Sequence, residues 1–164
     1  MEKNKQTTVA NQKIEPCFSF VYRNQTRNLE LLPQFDAERK DELWGIAVFP
    51  KMFFALRKNI LHTDWTSIKS FAGRLYLKGK KGHLPAKDFI ISNYNSEVQK
   101  KFEITLKFLR NNGIEVDFPD DNIWCMEEYS SSSAYMFLTQ HDKALFCGKL
   151  VNDIEKCRFV VSFD

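Results

Sequence analysis

The spacing of apolar residues changes along this chain, and that change limits the fold class more than any other feature. Between residues 64 and 113, apolar side chains recur every three or four positions, which is typical of amphipathic helices. Between residues 123 and 163, apolar runs of strand length are separated by polar turn residues. Because strand-like runs also precede the helical part, the pattern predicts an α+β domain whose helices pack on an antiparallel sheet.

The first third of the chain predicts strands and one long connection. Residues 17–22 alternate between apolar and polar side chains, as a half-buried strand does. Two further apolar runs, 43–49 and 52–56, are broken by a proline and a lysine, which favours two strands joined as a hairpin. The more polar segment 29–43 predicts a connecting loop with a short helical turn.

Capping residues predict where three helices begin and where the last one ends. Asp64 is a suitable N-cap for the first helix, and Pro85 suits the first turn of the second. Ser96 and Gln99 form a capping-box pattern for the third helix. Gly113 follows where a left-handed residue commonly ends a helix.

The final three apolar runs predict a C-terminal β-meander. These runs are 134–139, 143–151 and 156–163, and short polar turns separate them. The four cysteines show no metal-site spacing, and no export signal is recognised, so reduced thiols are expected. A disulfide between Cys147 and Cys157, across neighbouring strands, is the alternative.

Length and composition predict one domain. The chain has 164 residues, of which 1–15 are expected to form a flexible polar tail and 16–164 a single domain with phenylalanines in its core. No stretch approaches the roughly 20 apolar residues of a membrane span. Residues 1–15 lack the apolar region of a signal peptide, so a cytoplasmic or particle-associated location is expected unless another export route exists. A net charge of +3 with scattered basic residues predicts no nucleic-acid partner.

The sequence predicts a non-enzymatic protein without a cofactor, because no catalytic motif or metal-site spacing occurs among its histidines and cysteines. The alternative is a cysteine nucleophile at Cys125 or Cys147. One acid-rich segment could supply oxygen ligands to calcium through Asp117, Asp120 and Asp121. An ordinary solvated loop is the other interpretation of that segment.

A run of serines between two tyrosines, Tyr129 and Tyr135, is the strongest candidate for a binding loop. Tyrosine gives rigid amphipathic contact area and serine gives adaptable hydrogen bonding, a combination favoured in recognition loops. For Tyr129 the sequence favours a binding role and an ordinary polar-loop position equally. For Tyr135 it favours a place in the core. The candidate ligand-binding residues are Glu128, Tyr129, Ser131, Ser132, His141 and Asn152.

Four segments, in order, resemble a bacterial family of C-type-lectin-like domains that includes the C-terminal domain of collagen-like adhesins and related variable surface or phage-type proteins. They are the tryptophan-led helix at 64–72, the Gly-His-Leu-Pro stretch at 82–88 with Tyr94 downstream, the Trp-Cys-Met-Glu-Glu-Tyr-Ser run at 123–135, and the Arg-Phe-Val ending at 158–163. The resemblance covers residues 43–164. The Cys125-Met126 pair and the Arg158-Phe159 pair depart from the family pattern, so the chain resembles a divergent member of the family.

The resemblance implies a scaffold of helices packed on an antiparallel sheet whose ends lie close together, with loops near the final strands forming the binding surface. It gives Trp124 a structural role. The formylglycine-generating enzymes share the broad fold, but their reactive cysteine pair has no counterpart here. We therefore expect a recognition or adhesion module for a glycan or a protein. A divergent cysteine-dependent enzyme and a structural subunit of a larger particle are the alternatives, and the sequence leaves the oligomeric state open.

Overall fold

The computed structural model of the protein describes residues 14–24, 27–56, 59, 63–116, 122–152 and 157–164. The strands are β1 (Ser19–Arg23), β2 (Asn28–Leu32), β3 (Leu43–Phe49), β4 (Met52–Ala55), β5 (Tyr76–Leu77), β6 (Lys80–Lys81), β7 (Asn122–Glu128), β8 (Ser133–Leu138), β9 (Lys143–Gly148), β10 (Cys157–Arg158) and β11 (Val160–Ser162). The α-helices are α1 (Trp65–Ala72), α2 (Lys87–Asn93) and α3 (Ser96–Asn111), and two short 3-10 helices cover Ala37–Glu42 and Thr139–His141.

The strands form two sheets. The larger has the order β11-β4-β3-β1-β2-β5-β6, and the smaller has the order β10-β7-β8-β9. Most pairs are antiparallel, whereas β2 with β5 and β7 with β10 are parallel. This mixture of helices and mainly antiparallel sheets confirms the α+β class. Among the described residues, no helix combines the length and the hydropathy of a membrane-spanning segment.

Both faces of the central strands are covered by apolar side chains. In β4, Phe53 and Phe54 point to opposite faces because side chains alternate along a strand, and each is buried in a different apolar cluster. Helix α1 packs on β7 and β11, and α2 packs on β7, β8 and β9. Two apolar clusters therefore lie on opposite faces of β4.

The predicted starts of the first two helices agree closely with the structure. Asp64 caps α1 through a hydrogen bond from the Ser67 N–H to its carboxylate, 3.1 Å long. Pro85 lies just before α2, whose N-cap is Ala86, so that helix begins two residues later than predicted. Because Ala86 has no side-chain acceptor, α2 needs another partner for its first free N–H groups.

The third helix begins one residue earlier than predicted and uses a different cap. Asn95, and not Ser96, is the N-cap, because its side-chain oxygen accepts the N–H of Val98 at 3.1 Å. The capping box predicted for Ser96 and Gln99 is therefore wrong by one position. Gly113 has a φ of +81°, which confirms the left-handed residue expected after the helix.

The prediction of a loop with a helical turn for segment 29–43 is only partly correct. Its helical turn is the 3-10 helix, but its first residues belong to β2, which pairs with β1 through Leu31 and Val21. Of the residues in β2, only Leu29 is buried. Backbone pairing with a neighbouring strand specifies this element, and an apolar pattern cannot reveal that.

The predicted hairpin of β3 and β4 is confirmed, whereas the predicted meander is only half right. Strands β8 and β9 form an antiparallel hairpin. The chain then leaves β9: β10 runs parallel to β7, and β11 pairs with β4 of the larger sheet. The physical reason is burial on both faces, since every residue from Cys157 to Phe163 is buried. A meander edge strand would expose one face.

Arg158 joins the two sheets at this crossing. It lies in β10 of the smaller sheet, is 2% exposed, and donates from Nη1 to the carbonyl oxygen of Ala55 in β4 at 3.1 Å. Its guanidinium carbon also lies 5.2 Å from the ring centre of Phe102. A charged side chain in this interior is held by directed contacts, as a buried cation requires.

Two tryptophans join α1 to β7. Trp65 donates from its ring nitrogen to the carbonyl oxygen of Cys125 at 2.9 Å, and Trp124 donates to the carbonyl oxygen of Thr63 at 2.6 Å. Both rings are buried. The first and last strands, β1 and β11, lie in one sheet with β3 and β4 between them. The resemblance implies that the ends of the sheet lie close together. The structure shows that β1 and β11 belong to the same sheet, with two strands between them.

Candidate ligand-binding surface

The loop between β7 and β8, residues 129–132 and here called the serine loop, is closed by its own backbone. The N–H groups of Tyr129 and Ser130 both donate to the carbonyl oxygen of Ser133, at 2.9 and 3.0 Å. The Ser132 N–H donates to Oγ of Ser130 at 3.3 Å. Short serine side chains favour such local bonds, which is why the sequence turns here.

Lys149 holds the serine loop from the end of β9. Its N–H donates to the carbonyl oxygen of Ser132 at 2.9 Å, and its Nζ donates to the carbonyl oxygen of Ser131 at 2.9 Å. The same Nζ lies 2.6 Å from a carboxylate oxygen of Glu128 and 4.7 Å from the ring centre of Trp65. The hydrogen bond and charge of Lys149 lower the pKa of Glu128. One cation thus fixes the position of the loop.

Three aromatic rings, here called the aromatic cluster, lie beside the serine loop: Tyr129, Tyr135 and Phe146. The rings of Tyr129 and Phe146 are stacked, with centres 4.0 Å apart and planes 7° apart. The rings of Tyr129 and Tyr135 meet edge to face at 5.9 Å. Tyr129 and Phe146 are each 54% exposed. The cluster is therefore a surface of aromatic area held in a defined geometry.

Strand pairing accounts for this arrangement. Tyr135 of β8 lies directly opposite Phe146 of β9, so their side chains share one face of the smaller sheet. Lys87, at the start of α2, places its Nζ 4.1 Å from the ring centre of Tyr135. The N–H of Lys87 donates to both carboxylate oxygens of Glu127, at 3.1 and 2.9 Å. Glu127 therefore caps α2 in place of a local cap and anchors the helix beside the aromatic cluster.

The structure brings four of the six predicted binding residues together. Glu128, Tyr129, Ser131 and Ser132 are consecutive or nearly so, and all four are exposed around the serine loop. Tyr135 is half-buried, and it contacts both the apolar interior and the aromatic cluster. Tyr135 therefore packs partly in the core, and it also contacts the candidate surface.

Of the other two predicted residues, His141 lies away from the serine loop and Asn152 makes a structural contact. His141 follows β8, at the opposite end of the β8–β9 hairpin from the serine loop, about 17 Å away by strand length. Asn152 lies past Lys149, but its side-chain oxygen accepts both the N–H and the hydroxyl of Thr63, at 2.8 and 2.7 Å. Asn152 thus holds the chain before α1 in place.

The predicted calcium ligands Asp117, Asp120 and Asp121 lie outside the described residues. Within the part of the chain that the structure describes, no group of three or more His, Cys, Asp or Glu side chains could hold a metal ion.

None of the four cysteines forms a disulfide, and their surroundings differ greatly. Cys17 is exposed, Cys147 is half-buried, and Cys125 and Cys157 are buried. Cys147 and Cys157 are not bridged. Burial, assisted by the negative charge of Glu127, raises the pKa of Cys125 to about 12. A thiol in this state is a poor nucleophile at neutral pH.

Sequence reasoning missed Phe146, Lys87 and Lys149. Phe146 belongs to an apolar strand, and such a residue is ordinarily assigned to the core. Its exposure results from the position of β9 at the outer end of the strand order, which only the pairing reveals. The two lysines carry no sequence pattern, and their roles depend on partners that are distant in the chain.

No protein-family model, curated protein or solved structure matches this chain.

Proposed function

We propose that this protein is a non-enzymatic recognition module that binds a glycan or a protein through the aromatic cluster and the serine loop. The observation that carries the proposal is the stacked pair of Tyr129 and Phe146, each more than half exposed. Exposed aromatic groups that are already fixed lose little conformational entropy on binding, which favours affinity. Aromatic side chains of this kind dominate the energetics of binding surfaces.

The polar surroundings of the cluster favour a glycan. Sugar rings offer C–H groups to an aromatic face and hydroxyl groups to nearby polar atoms. The serine loop supplies hydroxyl groups at Ser130, Ser131 and Ser132, and the pair of Glu128 and Lys149 supplies charged partners beside them. A protein ligand is the alternative, because exposed aromatic rings such as those of Tyr129 and Phe146 are also enriched in protein–protein interfaces.

The scaffold we propose is a divergent C-type-lectin-like domain. Support comes from two of the segments that carry the resemblance, because the helix at 64–72 and the strand at 123–128 are joined by the reciprocal hydrogen bonds of Trp65 and Trp124. The proposed binding surface also lies near the later strands, where that scaffold would place it. A C-type-lectin-like assignment has to include two pairings: β11 with β4, and β10 parallel to β7.

Replacing Phe146 with alanine should abolish or strongly weaken ligand binding, because it removes one ring of the stacked pair. Binding of labelled protein to a glycan array, followed by titration of each captured glycan, measures the effect. Tyr129→Ala should act in the same way. Losing one exposed aromatic pair should lower the free energy of unfolding by only about 0.5–1.5 kcal/mol, so both variants should stay folded.

Leu145→Ala is the matched control, because Leu145 is the neighbouring residue of β9, is similarly exposed, and points to the other face of the sheet. Glycan binding that survives Phe146→Ala, or that falls equally with Leu145→Ala, would contradict the proposed surface. Melting temperatures of all three variants separate loss of binding from loss of fold.

Thiol labelling tests the alternative of a cysteine-dependent enzyme. In the folded protein at neutral pH, a chromogenic disulfide reagent should react quickly with Cys17 and with Cys125 only after unfolding, because burial holds Cys125 in its protonated form. Measuring Cys17→Ser beside the wild type isolates the slower thiols. Rapid labelling of Cys125 in the folded Cys17→Ser variant would instead support a reactive thiolate.

The third candidate, a structural subunit of a larger particle, predicts a defined oligomer. Size-exclusion chromatography with light scattering distinguishes it from a monomeric recognition module.

A further inference from the structure

A cavity of about 250 Å³ lies on a different part of the domain and carries three arginines at its edge. Arg23, Arg27 and Arg74 line it together with the aromatic residues Trp44, Phe71 and Phe159. None of the described residues that line the cavity is acidic. It shares no residue with the aromatic cluster or the serine loop.

The topology explains why arginines so distant in sequence converge. Arg23 ends β1, and its partner in the antiparallel pair is Leu29 of β2, so Arg27 lies beside it at the same end of that pair. The carbonyl oxygen of Arg27 accepts the N–H of Tyr76 at 3.0 Å, which brings β5 alongside. Arg74 comes two residues before Tyr76, after the end of α1. Three elements thus place three guanidinium groups around one cavity.

The arginines are available to a ligand. All three are exposed, and the structure gives Arg23 and Arg27 no ion pair with any described carboxylate. Arg74 is held in place, since its Nη2 lies 3.3 Å from Oγ of Ser70 and its guanidinium carbon lies 4.9 Å from the ring centre of Phe71. Guanidinium groups match carboxylates and phosphates through paired hydrogen bonds.

The floor of the cavity is apolar. Trp44 and Phe159 are buried, and their rings meet edge to face at 5.7 Å. Phe71 is half-buried at the side. An inorganic anion would satisfy the arginines but leave this aromatic area uncovered. The cavity is slightly smaller than the range of roughly 300–1,000 Å³ typical of small-molecule sites, which favours a compact ligand.

We propose that this cavity binds a small organic anion whose phosphate or carboxylate contacts Arg23, Arg27 and Arg74 while a flat apolar group covers Trp44 and Phe159. This site is independent of the proposed recognition surface, so either can fail without the other.

Isothermal titration of the full chain at low ionic strength with phenyl phosphate, benzoate and inorganic phosphate tests the site. At least one of the two aromatic anions should bind saturably with a stoichiometry of one, and about tenfold more tightly than inorganic phosphate, because only the aromatic anions bury apolar area. Comparing phenyl phosphate with benzoate identifies which anionic group the arginines prefer. Binding should weaken in 0.5 M salt, as expected for partly exposed charges.

Arg23→Gln and Arg27→Gln should each weaken that binding about tenfold or more, since each removes charge-assisted hydrogen bonds. Lys100→Gln is the matched control: it removes one exposed positive charge from α3, away from the cavity, and should leave the affinity unchanged. Melting temperatures confirm that the variants are folded. The proposal is overturned if neither aromatic anion binds saturably, if inorganic phosphate binds as tightly as they do, or if Lys100→Gln weakens binding as much as Arg23→Gln.

Discussion

Replacing Trp124 with alanine should lower the free energy of unfolding by about 3–5 kcal/mol, the usual cost of deleting a large buried ring. Trp124 is 1% exposed and is among the largest fully buried side chains. Its ring nitrogen also gives the carbonyl oxygen of Thr63 a partner at 2.6 Å. Because domains of this size are stable by only about 5–15 kcal/mol, the variant should lose a large part of its stability. Equilibrium unfolding in urea measures the loss.

Two further variants serve as comparisons for Trp124→Ala. Trp124→Phe keeps most of the apolar volume but leaves the Thr63 carbonyl without its donor, so its cost should be smaller, about 1–3 kcal/mol. Tyr129→Ala removes an exposed aromatic ring and should cost no more than about 1.5 kcal/mol. A cost for Trp124→Ala as small as that of Tyr129→Ala would show that Trp124 is not a central packing residue.

Replacing Gly45 with alanine should destabilise the larger sheet severely, because the added methyl group would meet backbone and not a movable side chain. An ideal Cβ at Gly45 would lie 2.2 Å from the carbonyl oxygen of Phe54 and 2.9 Å from its carbon. Both atoms belong to β4, the hydrogen-bonded neighbour of β3. Overpacking typically costs about 1–3 kcal/mol and more where strands must separate, so a loss at or above the top of that range is expected.

Gly148→Ala is the control for this substitution. Gly148 is the last residue of β9, and a Cβ there would have only Val151 within 4 Å, at an ordinary 3.8 Å. Its effect on thermal unfolding should be within about 0.5 kcal/mol. Equal melting temperatures for the two variants would mean that β3 and β4 are not as close at Gly45 as the structure shows.

Local chemistry made much of the fold predictable. Asp64 caps α1 because a short carboxylate reaches a free N–H, and nothing distant is needed for that contact. Gly113 takes the left-handed conformation for an equally local reason. The serine loop and Tyr129 were identified from residue types alone, and the structure places them at the surface.

Pairing between distant strands could not be predicted in the same way. The apolar run that contains β11 fits a meander next to β9 as well as it fits a place beside β4, because hydrophobicity specifies burial and not the partner. The cavity with Arg23, Arg27 and Arg74 was invisible for a related reason. Isolated arginines carry no motif, and it is the pairing of β2 with both β1 and β5 that brings them together.

The crossing of β10 and β11 between the sheets has a consequence for how the domain folds. Val160 pairs with Phe54, 106 positions earlier in the chain (160 − 54). Contacts of such long range require a large loop to close before they contribute, which slows folding relative to helices and hairpins. Because one short segment completes both sheets, neither can open without disturbing the other, and the protein should behave as one cooperative unit.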